Sequence, residues 1–125
     1  MDLKKVLILD DEVDMAMTIA DMLDFVEGHF EYEIVHNVDD ALKLIASSHF
    51  DCIISDINLP GLDGIQFIQQ LRKEGNLTPV IITSGRSDKG LKEMIQKVGG
   101  FDFLPKPFNI ANVSDLVLAS LRKSS

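Results

Sequence analysis

The 125 residues include 46% hydrophobic side chains, a net charge of -8 and one cysteine, which suits a single compact domain and is too apolar for a disordered chain. The acidic balance excludes nonspecific capture by nucleic acid or by an anionic membrane, because both reward excess Lys and Arg. The stretch Val6 to Leu9 is too short for a signal peptide or a membrane span, and Cys52 has no second cysteine to pair with; a cytoplasmic, reducing setting is expected.

Taken in chain order, the first strand is predicted at Val6-Leu7-Ile8-Leu9, and the helix after it by the stripe Ala16, Ile19, Ala20, Leu23 and Val26. Tyr32-Glu33-Ile34-Val35 reads as a second strand, and Asn37 as the N-cap of a helix carrying Ala41, Leu44 and Ile45. Cys52-Ile53-Ile54 is the third strand, its thiol expected to be buried and inert. Asp63 then caps a helix with Ile65, Ile68 and Leu71, which Gly75 stops. Val80-Ile81-Ile82 is the fourth strand; Asp88 caps a helix with Leu91, Met94, Ile95 and Val98, which ends at Gly99 and Gly100. Phe101-Asp102-Phe103-Leu104 is the fifth strand, and Asn109 caps a last helix with Val113, Leu116, Val117 and Leu121. Near-continuous apolar strands alternating with helices imply an α/β fold, a doubly wound (βα)5 parallel sheet with helices on both faces. Residues 1–125 are expected to form one domain with no output domain. His29, His36 and His49 lack ligand-like spacing and read as surface or packing residues.

The polar residues that follow each apolar run carry the chemistry. The first run ends in Asp10-Asp11-Glu12, the third in Ser55-Asp56, the fourth in Thr83-Ser84-Gly85 and the fifth in Pro105-Lys106-Pro107. In an open parallel sheet the carboxyl ends of the strands line one crevice, where ligands bind. Three carboxylates crowded there repel one another, and a hard divalent cation relieves that repulsion; oxygen-only ligands favour Mg²⁺. Lys106 adds positive charge, with one pair at about 4 Å worth on the order of 4 kcal/mol before desolvation. A metal, a lysine and a hydroxyl together suit three phosphoryl oxygens, and an exposed aspartate among them can act as the nucleophile. Each feature alone has a plainer explanation: Asp-Asp-Glu suits the dipole of a helix N-terminus, Asn58-Leu59-Pro60-Gly61 suits a turn, and Lys106 suits a solvated loop. Four strand ends bringing compatible groups to one side favour the site.

At these residues the sequence resembles the receiver domains of two-component response regulators, most of all the single-domain chemotaxis regulators. The resemblance covers essentially the whole chain and rests on Leu9-Asp10-Asp11-Glu12, the run Asp56 to Gly64, Ser84 and Lys106-Pro107-Phe108. It implies the flavodoxin-like strand order 2-1-3-4-5, which is the order the general rule for this fold already assigns to such regulators. It implies that Asp56 is the phosphoacceptor, and that Asp11, Asp56 and the backbone carbonyl of Asn58 bind Mg²⁺ directly. Asp10 then acts through a metal-bound water, Lys106 pairs with the phosphoryl group, Ser84 is the switch hydroxyl and Phe103 the aromatic switch residue. A cis Lys106–Pro107 bond is also implied. Asn58 and Arg86 occupy the positions that tune phosphoryl lifetime; Arg86 either shields attacking water or points outward. The donor would be a histidine kinase or a histidine phosphotransfer protein. The output partner would bind the fourth helix, fifth strand and fifth helix, through Lys92, Glu93, Gln96, Lys97 and Phe103. No direct contact with nucleic acid and no membrane insertion are expected, and the chain is expected to be a monomer or weak dimer.

Some positions depart from the common pattern. Gly85 stands where alanine is usual and is expected to loosen that loop, Leu59 replaces a frequent methionine, and Pro105 removes a ladder donor, tolerable at an edge. Two other readings are weaker. A haloacid-dehalogenase-type phosphatase needs a second Asp where Asn58 stands, and a flavin-binding protein of the same fold needs a phosphate-cradling loop where three acids stand. A receiver fold that has lost its switch finds no support, because the required residues are all present.

Overall fold

β-branched and large apolar residues fill the strands because both faces of the sheet are covered. In the computed structural model, which describes residues 3–26, 30–85 and 89–124, the elements alternate strictly. They are β1 (Lys4–Leu9), α1 (Val13–Leu23), β2 (Phe30–Val35), α2 (Val38–Ser47), β3 (Cys52–Asp56), α3 (Gly64–Lys73), β4 (Val80–Ser84), α4 (Lys89–Lys97), β5 (Asp102–Pro105) and α5 (Ile110–Ser124). All pairings are parallel, in the order β2-β1-β3-β4-β5. Every residue of β3 and β4 is buried, as central strands require. β2 lies at one edge and buries only Val35 completely.

Successive side chains alternate between two cores. Leu7, Leu9, Ile53, Val80 and Ile82 face α2, α3 and α4, meeting Ala41, Phe67, Ile68, Leu71, Leu91 and Ile95. Val6, Ile8, Cys52, Ile54, Ile81 and Leu104 face α1 and α5, meeting Ala16, Ile19, Leu23, Val113 and Val117. Each such fully buried side chain is worth roughly 1.5–3 kcal/mol of transfer free energy. Cys52 is buried, as expected, accepts the Ser120 hydroxyl at 3.3 Å, and has its thiol pushed up to about 12 by desolvation, a shift that disfavours the thiolate.

The helix signals hold where they can be read. Asn37 accepts the Asp40 N–H, Asp63 and Gln66 form a capping box, and Asn109 and Asn112 bond each other's backbone N–H reciprocally. The expected cap Asp88 and the tuning residue Arg86 lie outside the described residues, as does His29. Gly75 and Gly99 follow their helices at φ 83° and 91°, the left-handed region in which glycine carries no penalty. Two members of the helical stripes differ from expectation. Val26 is buried but lies beyond the end of α1. Met94 is 51% exposed, because α4 seats only Leu91 and Ile95 fully on the sheet. Among the described residues, no helix is long and apolar enough to cross a membrane.

Candidate functional site

Strand register brings the polar residues together. Leu9 pairs with Ser55, Asp56 with Thr83, and Ser84 with Pro105. Asp10, just past β1, therefore stands level with Asp56 at the end of β3 and Thr83 near the end of β4, and the alternation of Val6, Ile8, Ile54 and Ile81 puts all three on the α1–α5 side. By the same parity Ser84 and Phe103 fall on the other face, toward α4.

Asp10, Asp11 and Asp56 each offer a carboxylate oxygen, and these three atoms lie within 4.8 Å of one another. Asp10 is 1% exposed and Asp56 4%, whereas Asp11 is open to solvent. The candidate nucleophile is thus not the exposed aspartate expected from sequence: closing both faces of the sheet over the end of β3 sinks Asp56 to the floor of the crevice. Lys106 Nζ stands 3.5 Å from Asp56 Oδ1, and the Asn58 N–H points at the same oxygen from 3.4 Å. Lys106 is joined to Pro107 by a cis peptide bond, and its backbone N–H donates to the Ser84 carbonyl at 2.7 Å. Ser84 is fully buried at the end of β4. Phe103 is half-buried against the α2–α4 core.

Asp10 is held at three points. Its N–H donates to Val35 O at 3.1 Å, its carbonyl accepts from His36 Nδ1 at 2.8 Å, and its Oδ1 accepts the Glu12 N–H at 2.9 Å. Glu12 is the N-cap of α1 and makes no side-chain cap, so the acids also face the positive end of that helix. The remaining oxygen, Asp10 Oδ2, is buried without a hydrogen-bond partner. Burial pushes the Asp10 carboxyl up to about 6; the Glu12 N–H opposes the rise, and the neighbouring Asp56 charge adds to it. A buried orphan oxygen inside an all-oxygen cluster is what a hard divalent cation would satisfy, so the residues present fit Mg²⁺.

Two groups were not singled out from sequence as site residues. His36 read as a surface or packing residue, and only folding brings the end of β2 beside Asp10. Thr83 Oγ1, beside Asp56 in register, is buried without a partner; strand parity from Ile81 was the signal that could have found it.

The chain matches the response regulator receiver domain family over residues 6–118. It is 31% identical over 121 residues to the transcriptional regulatory protein TctD of Salmonella typhimurium, covering 97% of this chain and 53% of that protein. It is 26% identical over 117 residues to the transcriptional regulatory protein FixJ of Bradyrhizobium diazoefficiens, covering 94% and 56%. The chain thus spans about half the length of these regulators. Among solved structures, the Francisella response regulator 1452 receiver domain superposes with TM-score 0.88 at 32% identity, over 98% of this chain and 99% of that one. The chemotaxis response regulator CheY4 of Vibrio cholerae gives 0.86 at 27% identity, over 96% and 100%. With the family match, the strand order and the acidic crevice in agreement, the chain belongs to the response regulator receiver domain family, the phosphoacceptor switches of two-component signalling.

Proposed function

We propose that Asp56 is the phosphoacceptor, and that the donor is a histidine kinase or a histidine phosphotransfer protein. The observation that carries this reading is the convergence of three carboxylate oxygens, from the ends of β1 and β3, within 4.8 Å, with Lys106 beside Asp56. An Asp56 oxygen attacks the phosphorus atom, the bond to the donor nitrogen breaks, and an acyl phosphate forms. Lys106 balances the charge on the phosphoryl oxygens, and the Ser84 hydroxyl donates to one of them in the phosphorylated state. Asp10, Asp11, Asp56 and the Asn58 carbonyl would hold Mg²⁺. When bound, it neutralises the crowded carboxylates and the charge on the transferred group. Asn58, whose N–H points at Asp56, tunes the lifetime of the group.

The phosphoryl group adds roughly −1.5 to −2 charges. It shifts conformation only through contacts that differ between the two states. Ser84 and Phe103 share the face toward α4, so rearrangement there reaches the surface formed by α4, β5 and α5. Lys92, Glu93, Gln96, Lys97 and Phe103 are its contact residues for an output partner. In this reading residues 1–125 act as a single receiver domain in the cytoplasm, switching a partner instead of turning over a substrate. Intact mass after incubation with acetyl phosphate and Mg²⁺ tests the assignment: the wild type is expected to gain one phosphoryl group and Asp56→Ala none. An adduct on both proteins, or on neither, overturns it.

A further inference from the structure

α4 is tied down beyond its C-terminal end. There the guanidinium of Arg72, on the last turn of α3, reaches three backbone carbonyls. Nε and Nη2 both donate to Gly99 O, at 3.1 and 2.8 Å; Nη1 donates to Asn76 O at 2.8 Å, and Nη2 also to Thr78 O at 2.9 Å. The side chain lies flat against Gly99, where an added Cβ would sit 3.2 Å from Arg72 Nε, and Gly99 itself has φ 91°. The helix end closes on its own carbonyls, with Gly99 N–H donating to Gln96 O at 3.1 Å and Gly100 N–H to Ile95 O at 2.8 Å. Gly100 packs so tightly that a Cβ would meet Ile95 at 2.5 Å and Ile68 of α3 at 2.9 Å.

Nearer its other end, Gly90, Leu91 and Met94 of α4 line a cleft. The cleft, of about 460 Å³, separates them from the β3–α3 connection and is also lined by Asn58, Asp63 and Ile65. Asn58 is the residue whose N–H points at Asp56. Lys92 does reach Asp102 of β5 at 3.7 Å, but its side chain is 51% exposed, and such pairs contribute little. A planar guanidinium that engages several carbonyls at once is a stiff tie, which an ammonium cannot reproduce.

We propose that Arg72 is a positioning residue of the switch. Its guanidinium fastens the Gly99 turn that follows α4 to α3 and to the loop after α3, and the helix rearranges by swinging its Lys89 end over the Asn58 cleft while the Gly99 end stays fixed. The swing rests on the phosphoacceptor reading; the fastening does not.

Residue-resolved amide hydrogen exchange on the full chain separates the two. In the metal-free protein, Arg72→Met is expected to speed exchange at Gly99 and Gly100 by roughly tenfold relative to the strand amides of Ile53 and Ile54. Leu91 to Glu93 should stay unchanged, and Arg72→Lys should be intermediate. If Arg72→Met does not fold, Arg72→Lys carries the comparison. Unchanged rates at Gly99 and Gly100 overturn the fastening. With Mg²⁺ and beryllofluoride, a stand-in for the phosphoryl group, wild-type changes should peak near Gly90 to Met94 and fade toward Gly99, while in the variant they run through to Gly100. A wild-type change centred on Gly99 overturns the swing. A wild type that does not respond to beryllofluoride contradicts the phosphoacceptor reading and the swing with it, while the metal-free rates still decide the fastening.

Discussion

Replacing Asp10 with asparagine should make the metal-free protein more stable at neutral pH. The Asp10 carboxyl is raised from 3.8 to about 6 in the fold, chiefly by burial, so the folded state holds this proton more tightly than the unfolded chain does. The associated stability is fully present below about pH 4 and is lost as pH rises through about 6. A shift of about 2 units corresponds to roughly 3 kcal/mol at pH 7. That is an upper bound for Asp10→Asn, since the amide keeps a polar group at the site where Oδ2 now lacks a partner. For a domain of this size the bound translates to a melting temperature higher by roughly 10 °C. Thermal unfolding in a chelator, from pH 4 to pH 8, checks this: wild type and variant should converge near pH 4 and diverge above pH 6. Added Mg²⁺ should raise the wild type and leave Asp10→Asn nearly unmoved. A variant that melts with or below the wild type at pH 7.5 in chelator would refute the reasoning that burial of this carboxylate opposes folding.

Lys106→Ala should slow phosphorylation by acetyl phosphate roughly a hundredfold, as loss of one preorganised charge stabiliser does, read as the rate of mass gain; an unchanged rate places Lys106 outside the reaction. Gly64→Ala should destabilise by about 1–3 kcal/mol, because the new Cβ would meet Asp56 O at 2.9 Å and Ile82 Cδ1 at 3.0 Å. Gly85→Ala should be neutral or stabilising by up to about 1 kcal/mol, since a Cβ there meets nothing within 4 Å; urea unfolding measures both. His36→Ala should weaken Mg²⁺ binding by a few-fold, in line with loss of one partly exposed hydrogen bond, and His36→Asn, which can still donate to the Asp10 carbonyl, should restore it in a calorimetric titration.

Much of the fold was legible because parallel strands covered on both faces leave continuous apolar runs, and because Asn37, Asp63 and Asn109 do at the helix starts what their side-chain oxygens suit. The crevice was legible for a related reason. Strand ends fall at the same level in a parallel sheet, so chemistry placed just after each run converges whatever the loops do. Burial was less accessible. Nothing in the order of residues distinguishes Asp56, sunk in the floor, from Asp11 at the rim. Met94 fits the helical spacing of Leu91 and Ile95, yet the cleft beside Asn58 leaves it without a partner surface on the sheet. Arg72 and His36 act on backbone carbonyls, and a carbonyl carries no mark in the sequence. Gly85, read as a loosening of its loop, has no left-handed φ and no crowding that requires glycine.

The most direct measurement is a crystal structure of the wild-type chain grown with Mg²⁺ and beryllofluoride. The expected result is a metal ion between the carboxylates of Asp10, Asp11 and Asp56, with the beryllium on an Asp56 oxygen and Lys106 and Ser84 turned to its fluorides. Beryllofluoride bound to another residue, or an acidic crevice that takes up no metal beside it, would contradict the claim that these acids gather a cation to receive a phosphoryl group.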